Sequence, residues 1–253
     1  MHTAQTKLTG GLGFAGGWLV APVFGLISAA RHARTFHPRG PVFHARVEPH
    51  VQAPRELHAL GEHLRGAALV RFSGALWKRE LRIPDVLGCA LRLRQSDDES
   101  ASAARDDQDL LFATIRRPWT MPLSPLTTDV RDYLANDYFA VSPFRSRDVT
   151  QPFYLRLRPV AWEHDGRGGR GERLERAVRA RAVMMDLELR QEPFGPWSPL
   201  AQVELQRAAK VDGEALRFDP FHAGRGVEPF GFVHALRVGV YKISQFARPR
   251  ATH

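Results

Sequence analysis

The stretch ALRVGVYKISQFAR, residues 235–248, places Arg237 four residues before Tyr241 and Arg248 seven after it. Four residues make about one helical turn and seven about two, so on a helix both guanidinium groups fall on or near the face of the phenol. A cation beside a phenol favours the ionised form. In a chain with 32 Arg and only 4 Lys, the same spacing also arises as a plain surface pair. Three further stretches carry groups of comparable chemistry. RTFHPRG (34–40) holds Arg34, His37, Arg39 and Gly40. LVRFSGA (69–75) holds Arg71 and Ser73, and IPDVLGCALRLR (83–94) holds Asp85, Gly88, Ala90 and Arg92.

Taken together and in this order, the four stretches resemble the haem catalases and their short catalase-like relatives. The family's Arg-x-x-His, small residue, basic residue and Gly are matched by Arg34, His37, Pro38, Arg39 and Gly40. Its Val-Arg-Phe-Ser stands intact at Val70, Arg71, Phe72 and Ser73. Its Asp-x-x-Gly-x-Ala-x-Lys is matched at Asp85, Gly88 and Ala90, with Arg92 in place of Lys. Its proximal Arg-x3-Tyr-x6-Arg is reproduced by Arg237, Tyr241 and Arg248, after a lead-in at Asp219-Pro220 and Glu228-Pro229. The likeness spans roughly residues 34–248 and is loose between 118 and 217.

The resemblance implies haem b held non-covalently, with the phenolate of Tyr241 as the axial iron ligand. It makes Arg237 the partner of the Tyr241 oxygen. It assigns Arg34, Arg71 and Arg248 to the haem propionates, a planar bidentate match that Lys makes less well. It makes His37 the acid/base that moves a proton between the two oxygens of a peroxide. Ser73 would accept the other imidazole N–H and fix the orientation of the ring. The implied fold is α+β and mainly β: an eight-stranded antiparallel haem-binding barrel with a few flanking helices.

Departures narrow the implied activity. Where catalases carry an Asn that helps hold the peroxide, this chain reads DDQDLLFATI, with Asp107 or Gln108 nearest. Phe36 stands where catalases usually have Val at the channel, and the chain is about half their length. The expected function is therefore peroxidase-like reduction of organic or lipid hydroperoxides with weak catalase activity, using an external electron donor. A hydroperoxide-rearranging activity, a non-catalytic haem binder or sensor, and a barrel that binds lipid or protein without haem are the rivals.

The elements that must position these residues are short strands. Candidates lie at 42–48, 67–75, 87–94, 110–116, 153–164, 181–191, 200–206 and 216–219. Partial alternation of apolar and polar residues, as in FYLRLRPV, reads as half-buried antiparallel pairing. Eight such strands predict a closed barrel or a sandwich, with any ligand in or beside the mouth. Helices are expected at 54–65, at 122–138 and near 231–247. Residues 166–181, GRGGRGERLERAVRAR, read as a flexible loop entering a strand. An RNA-binding Arg-Gly tract there would need interleaved aromatics, so no nucleic-acid partner is expected.

Composition sets the outer limits. The 253 residues can bury a full core. The formal net charge of +9 suits anionic ligands, lipid or nucleic acid. The single cysteine, Cys89, excludes a disulfide framework and fits a reducing cytoplasm. There is no CxxCH for covalent haem attachment, no HExxH and no Walker loop. His58 and His63, five apart, are poorly spaced to share a metal. Residues 8–30 carry no charge and, at near-span length but with six glycines and Pro22, read as a packed helix, an interfacial membrane anchor, or a cleaved or spanning segment. The chain thus divides into an N-terminal apolar segment (1–33) and a barrel domain (34–253).

Overall fold

The computed structural model describes residues 40–75, 83–140, 142–160, 166–212 and 215–230. Eight antiparallel strands close into a barrel in the order β7-β5-β4-β3-β2-β1-β9-β8, and β8 returns to pair with β7. They are β1 (Val42–Pro49), β2 (Gly66–Gly74), β3 (Leu87–Arg94), β4 (Gln108–Ala113), β5 (Tyr138–Ala140), β7 (Val149–Pro159), β8 (Met184–Arg190) and β9 (Ser198–Ala208). Two short strands, β6 (Phe144–Ser146) and β10 (Glu228–Pro229), extend the sheet beyond β7. Helix α1 (His58–Leu64) links β1 to β2, α2 (Ser124–Thr127) lies between β4 and β5, and α3 (Arg170–Arg179) links β7 to β8. Among the described residues no helix is long and apolar enough to cross a membrane.

Period-two alternation decides which side chains fill the barrel. Phe43, Ala45 and Val47 of β1, Ala68, Val70 and Phe72 of β2, and Leu87, Cys89, Leu91 and Leu93 of β3 all belong to the interior cluster. Phe72 sits at the centre of it, with the Tyr133 ring at 5.2 Å and the Tyr138 ring at 5.9 Å. The Tyr138 hydroxyl donates to the Tyr133 carbonyl at 2.7 Å, which satisfies the one polar atom this ring brings inside. Side chains therefore occupy the lumen, and a site for a large planar ligand has to lie on the outer wall.

Three expectations are corrected. Residues 216–219 form no strand. Their backbone groups bond to side chains instead: Arg71 donates to the Leu216 carbonyl, Arg92 to the Arg217 carbonyl, and the Asp219 N–H donates to Asp109. The eighth barrel strand is β5, only three residues long. Nor is 122–138 one helix. It breaks into a 3-10 turn over Pro118–Leu123, α2, and a second 3-10 turn over Tyr133–Ala135. Asp129, Asp132 and Asn136 hydrogen-bond nearby backbone groups and so compete with helical pairing. Finally, residues 166–181 contain α3 rather than only a loop. Leu174, Ala177 and Val178 recur at helical spacing and are buried, and Arg179 pairs with Glu175 one turn earlier.

Candidate functional site

The outer wall of β1–β4 is an ordered grid because directly paired residues share a face. One row runs Val42, Arg71, Ala90, Leu111, and the next runs Ser73, Gly88, Ala113. A third row, toward the other end of the strands, runs His44, Leu69, Arg92, Asp109. Arg71 and Ser73, both singled out by motif, thus point to the same side of the wall. The motif's Gly88 and Ala90 stand beside them and keep that part of the wall flat. The chain reaches β1 across this end. The Phe72 N–H donates to the Pro41 carbonyl at 3.1 Å, and a Cβ on Gly40 would fall 1.8 Å from the Phe72 carbonyl oxygen. Only glycine permits that approach.

Residues 209–212 and 215–225 cover the lower part of the wall. Leu216, with Val211 and Phe218 beside it, packs on Val42 and Leu69. Arg92, 1% exposed, gives Nε and Nη2 to the two Asp109 carboxylate oxygens at 2.7 and 2.8 Å, and Asp109 is itself fully buried. Arg94 meets Asp107 at 3.4 Å and Asp98 at 2.8 Å. Arg225 crosses the edge of the cover and donates to the carbonyls of His63, Arg65 and Arg94. It lies where a side chain on Gly66, at φ +142, would intrude.

Arg71 is different. It is 8% exposed and makes one hydrogen bond, from Nη1 to the Leu216 carbonyl at 2.8 Å, with Phe218 stacked 4.8 Å below its guanidinium carbon. Its Nε is buried and has no partner among the described residues. The nearby Asp109 is committed to Arg92, and no carboxylate among the described residues pairs with Arg71. Burial, then the neighbouring Arg92 cation, push its pKa down to about 10. At neutral pH it stays charged, so a full positive charge lies under the wall without a counter-ion among the described residues.

The two residues nearest the missing Asn do other work. Gln108 is fully buried, and its amide donates to the carbonyls of Asp109, His222 and Val227 while its oxygen accepts from the Val227 N–H. Asp107 accepts from the Ala104 N–H and meets Arg94. Neither presents a free amide or acid to a ligand. Asp85 of the third motif ties the β2–β3 connection, accepting from the Val86 N–H at 2.7 Å and the Ala75 N–H at 3.3 Å. His44, on the same outer face, is held by Asp97 at 2.6 Å.

Arg34, His37, Arg237, Tyr241 and Arg248 lie outside the described residues, as do the apolar segment 8–30 and the expected helix near 231–247. The structure therefore brings together Arg71, Ser73, Gly88, Ala90 and Arg92 of the motif residues. Asp109 and Phe218 were not singled out from the sequence, although Asp107 and Asp109 alternate in DDQD as Arg92 and Arg94 do in LRLR. Among the described residues no cluster of His, Cys, Asp or Glu is arranged to hold a metal ion. No protein-family model matches the chain, and no curated protein matches it.

Proposed function

We propose that the protein binds haem b on the outer wall of the barrel beside Arg71 and Ser73 and uses it to reduce organic or lipid hydroperoxides, with weak catalase activity. The observation that carries this reading is the buried, uncompensated guanidinium of Arg71. An anionic group reaching its Nε would supply the missing counter-charge, and a haem propionate has the planar fork that fits. The flat patch of Gly88, Ala90 and Ala113 next to it suits a planar macrocycle. Bound haem would supply the electrons that split the O–O bond of a hydroperoxide, to be restored by an external reductant.

The remaining steps belong to the chain. Tyr241, as phenolate, would hold the iron, with Arg237 stabilising its charge. Arg34 and Arg248 would share the propionates with Arg71. His37 would take a proton from one peroxide oxygen and deliver it to the other. His37 is three residues from Gly40, a reach of at most ~11 Å, and Gly40 packs against the backbone at Ser73. The Ser73 hydroxyl is thus within range to accept the imidazole N–H. Dismutation of hydrogen peroxide also needs a small peroxide held in place, and Gln108 has no donor left for that task.

The test is an absorption spectrum and haem stoichiometry of the full chain purified with haem supplied, beside Tyr241→Phe and Arg71→Leu. Haem bound by the wild type, lost or spectrally altered in Tyr241→Phe and reduced in Arg71→Leu, supports the reading. A wild type that takes up no haem, or a Tyr241→Phe spectrum identical to it, overturns it. With haem bound, turnover of an organic hydroperoxide only with a reductant separates reduction from rearrangement.

A further inference from the structure

The opposite wall of the barrel carries a surface that the haem reading does not use. In the helical path from Pro118 to Thr127, Trp119 lies near the start, and Leu123 and Leu126 lie three apart near the end. They are 63%, 60% and 72% exposed. Phe194, in the turn between β8 and β9, is 71% exposed. The Arg117 guanidinium joins the two elements, 4.4 Å from the Phe194 ring centre and 5.5 Å from that of Trp119. Arg190 lies nearby, 4.3 Å from the ring centre of Trp197 and 5.5 Å from that of Tyr154.

The charge here is one-sided. Among the described residues neither Arg117 nor Arg190 has a carboxylate at ion-pair distance, and the Arg190 Nε is buried with no partner. Burial, and then the Arg117 cation, push the Arg190 pKa below its ordinary value. Residues 110–128 contain no Asp or Glu, and neither do the terminal stretches 1–39 and 231–253. The one acid in the β8–β9 turn, Glu192, is exposed.

We propose that Trp119, Leu123, Leu126 and Phe194, together with Arg117 and Arg190, dock the barrel on the surface of an anionic phospholipid bilayer. Trp and Phe favour the headgroup boundary, and Leu gains by leaving water for the acyl region. The two arginines then meet lipid phosphates and carboxylates, the counter-charge that the protein withholds. Single-stranded nucleic acid would use the rings and the arginines but leave Leu123 and Leu126 in water. The docking needs no haem and stands apart from the reading above.

The experiment is co-sedimentation of the full chain with vesicles of phosphatidylcholine plus phosphatidylserine, and of phosphatidylcholine alone, at low and at physiological salt. Binding should require phosphatidylserine and weaken with salt. Arg117→Gln with Arg190→Gln should weaken it about 30-fold, and Trp119→Ser with Phe194→Ser at least about tenfold. All four sites are solvent-facing or ring-stacked, and circular dichroism checks that the fold persists. Wild type that stays in the supernatant overturns the proposal. So does wild-type binding by both variants, which would assign attachment to residues 8–30. A single-stranded oligonucleotide that displaces the vesicles, and whose binding ignores Leu123→Ser with Leu126→Ser, would assign the surface to nucleic acid and also overturn it. Tyr241→Phe should bind vesicles like the wild type, which separates failure here from failure of the haem reading.

Discussion

On the wall formed by β1–β4, Arg92 lies under cover and gives both arms of its fork to Asp109. On the wall formed by β5, β7 and β8, Arg190 lies between the rings of Trp197 and Tyr154 with no carboxylate among the described residues. The difference follows from solvent. A guanidinium taken out of water needs an anion, because desolvation costs several kcal/mol. One that keeps part of its hydration can rest on an aromatic face for about 0.5–1 kcal/mol. Arg71 combines the two: it is buried, as the first is, but rests on the Phe218 ring with no carboxylate among the described residues, as the second does. Among the described residues Arg225 also has no carboxylate at ion-pair distance, but it gives its protons to three carbonyls, whereas Arg71 reaches one.

Breaking the covered pair should have the largest effect. Asp109→Ala leaves Arg92 buried and alone, and should cost about 3–5 kcal/mol in urea unfolding. Arg92→Met combined with Asp109→Leu should recover most of that loss. A single-variant cost below about 1 kcal/mol would erase the distinction between the walls. Next comes the clamp that holds the cover. Gln108→Ala strands buried groups of residues 222–227 and should cost about 2 kcal/mol. Amide exchange at Val227, the donor to the Gln108 oxygen, should accelerate more than exchange inside β3.

Arg71 should respond with the opposite sign. Arg71→Met removes a buried charge that has no carboxylate partner among the described residues, and should stabilise haem-free protein by about 1 kcal/mol. A base whose folded pKa lies below its unfolded one is held less tightly when folded. Its burden is therefore full at neutral pH and is relieved only as pH rises past about 10. The stability difference between Arg71→Met and wild type should accordingly be flat from about pH 6 to pH 9, as chemical denaturation at several pH values would reveal. A destabilised variant would mean that Arg71 is already satisfied, and would remove the main support for an anionic ligand there. The smallest effect belongs to the open wall: Arg117→Gln should change stability by less than about 0.5 kcal/mol, since its ring contacts are exposed.

Much of the barrel was legible because its strands alternate. FHARV and LVRFS declare which residues face inward, and Leu87–Arg94 matches its expected bounds residue for residue. What escaped was structure set by distant partners. Residues 216–219 look like a strand, but their carbonyls are taken by Arg71 and Arg92, more than a hundred residues away. Tyr138–Ala140 is too short to show a period, and becomes a strand because β4 and β7 flank it. In α3 the arginines and glycines masked a narrow apolar stripe of Leu174, Ala177 and Val178. Of the site, Arg71, Ser73, Gly88 and Ala90 could be found by motif. That Asp109 would be spent on Arg92, leaving Arg71 without a carboxylate, depends on strand register and could not.

The cover over the β1–β4 wall is also made after every strand of the barrel. Ala208 ends the final barrel strand, and the segment that hides Arg71 and Arg92 follows it. During synthesis at about 5–20 residues per second, every barrel strand leaves the ribosome about 0.4–3 seconds before Leu216, Phe218 and Arg225 do. The nascent protein therefore passes through an interval in which the wall is bare and Arg71 is open to solvent. A ligand captured then would be sealed in as that segment folds over it, and one that arrives later must first displace a segment latched at Gln108 and Arg225.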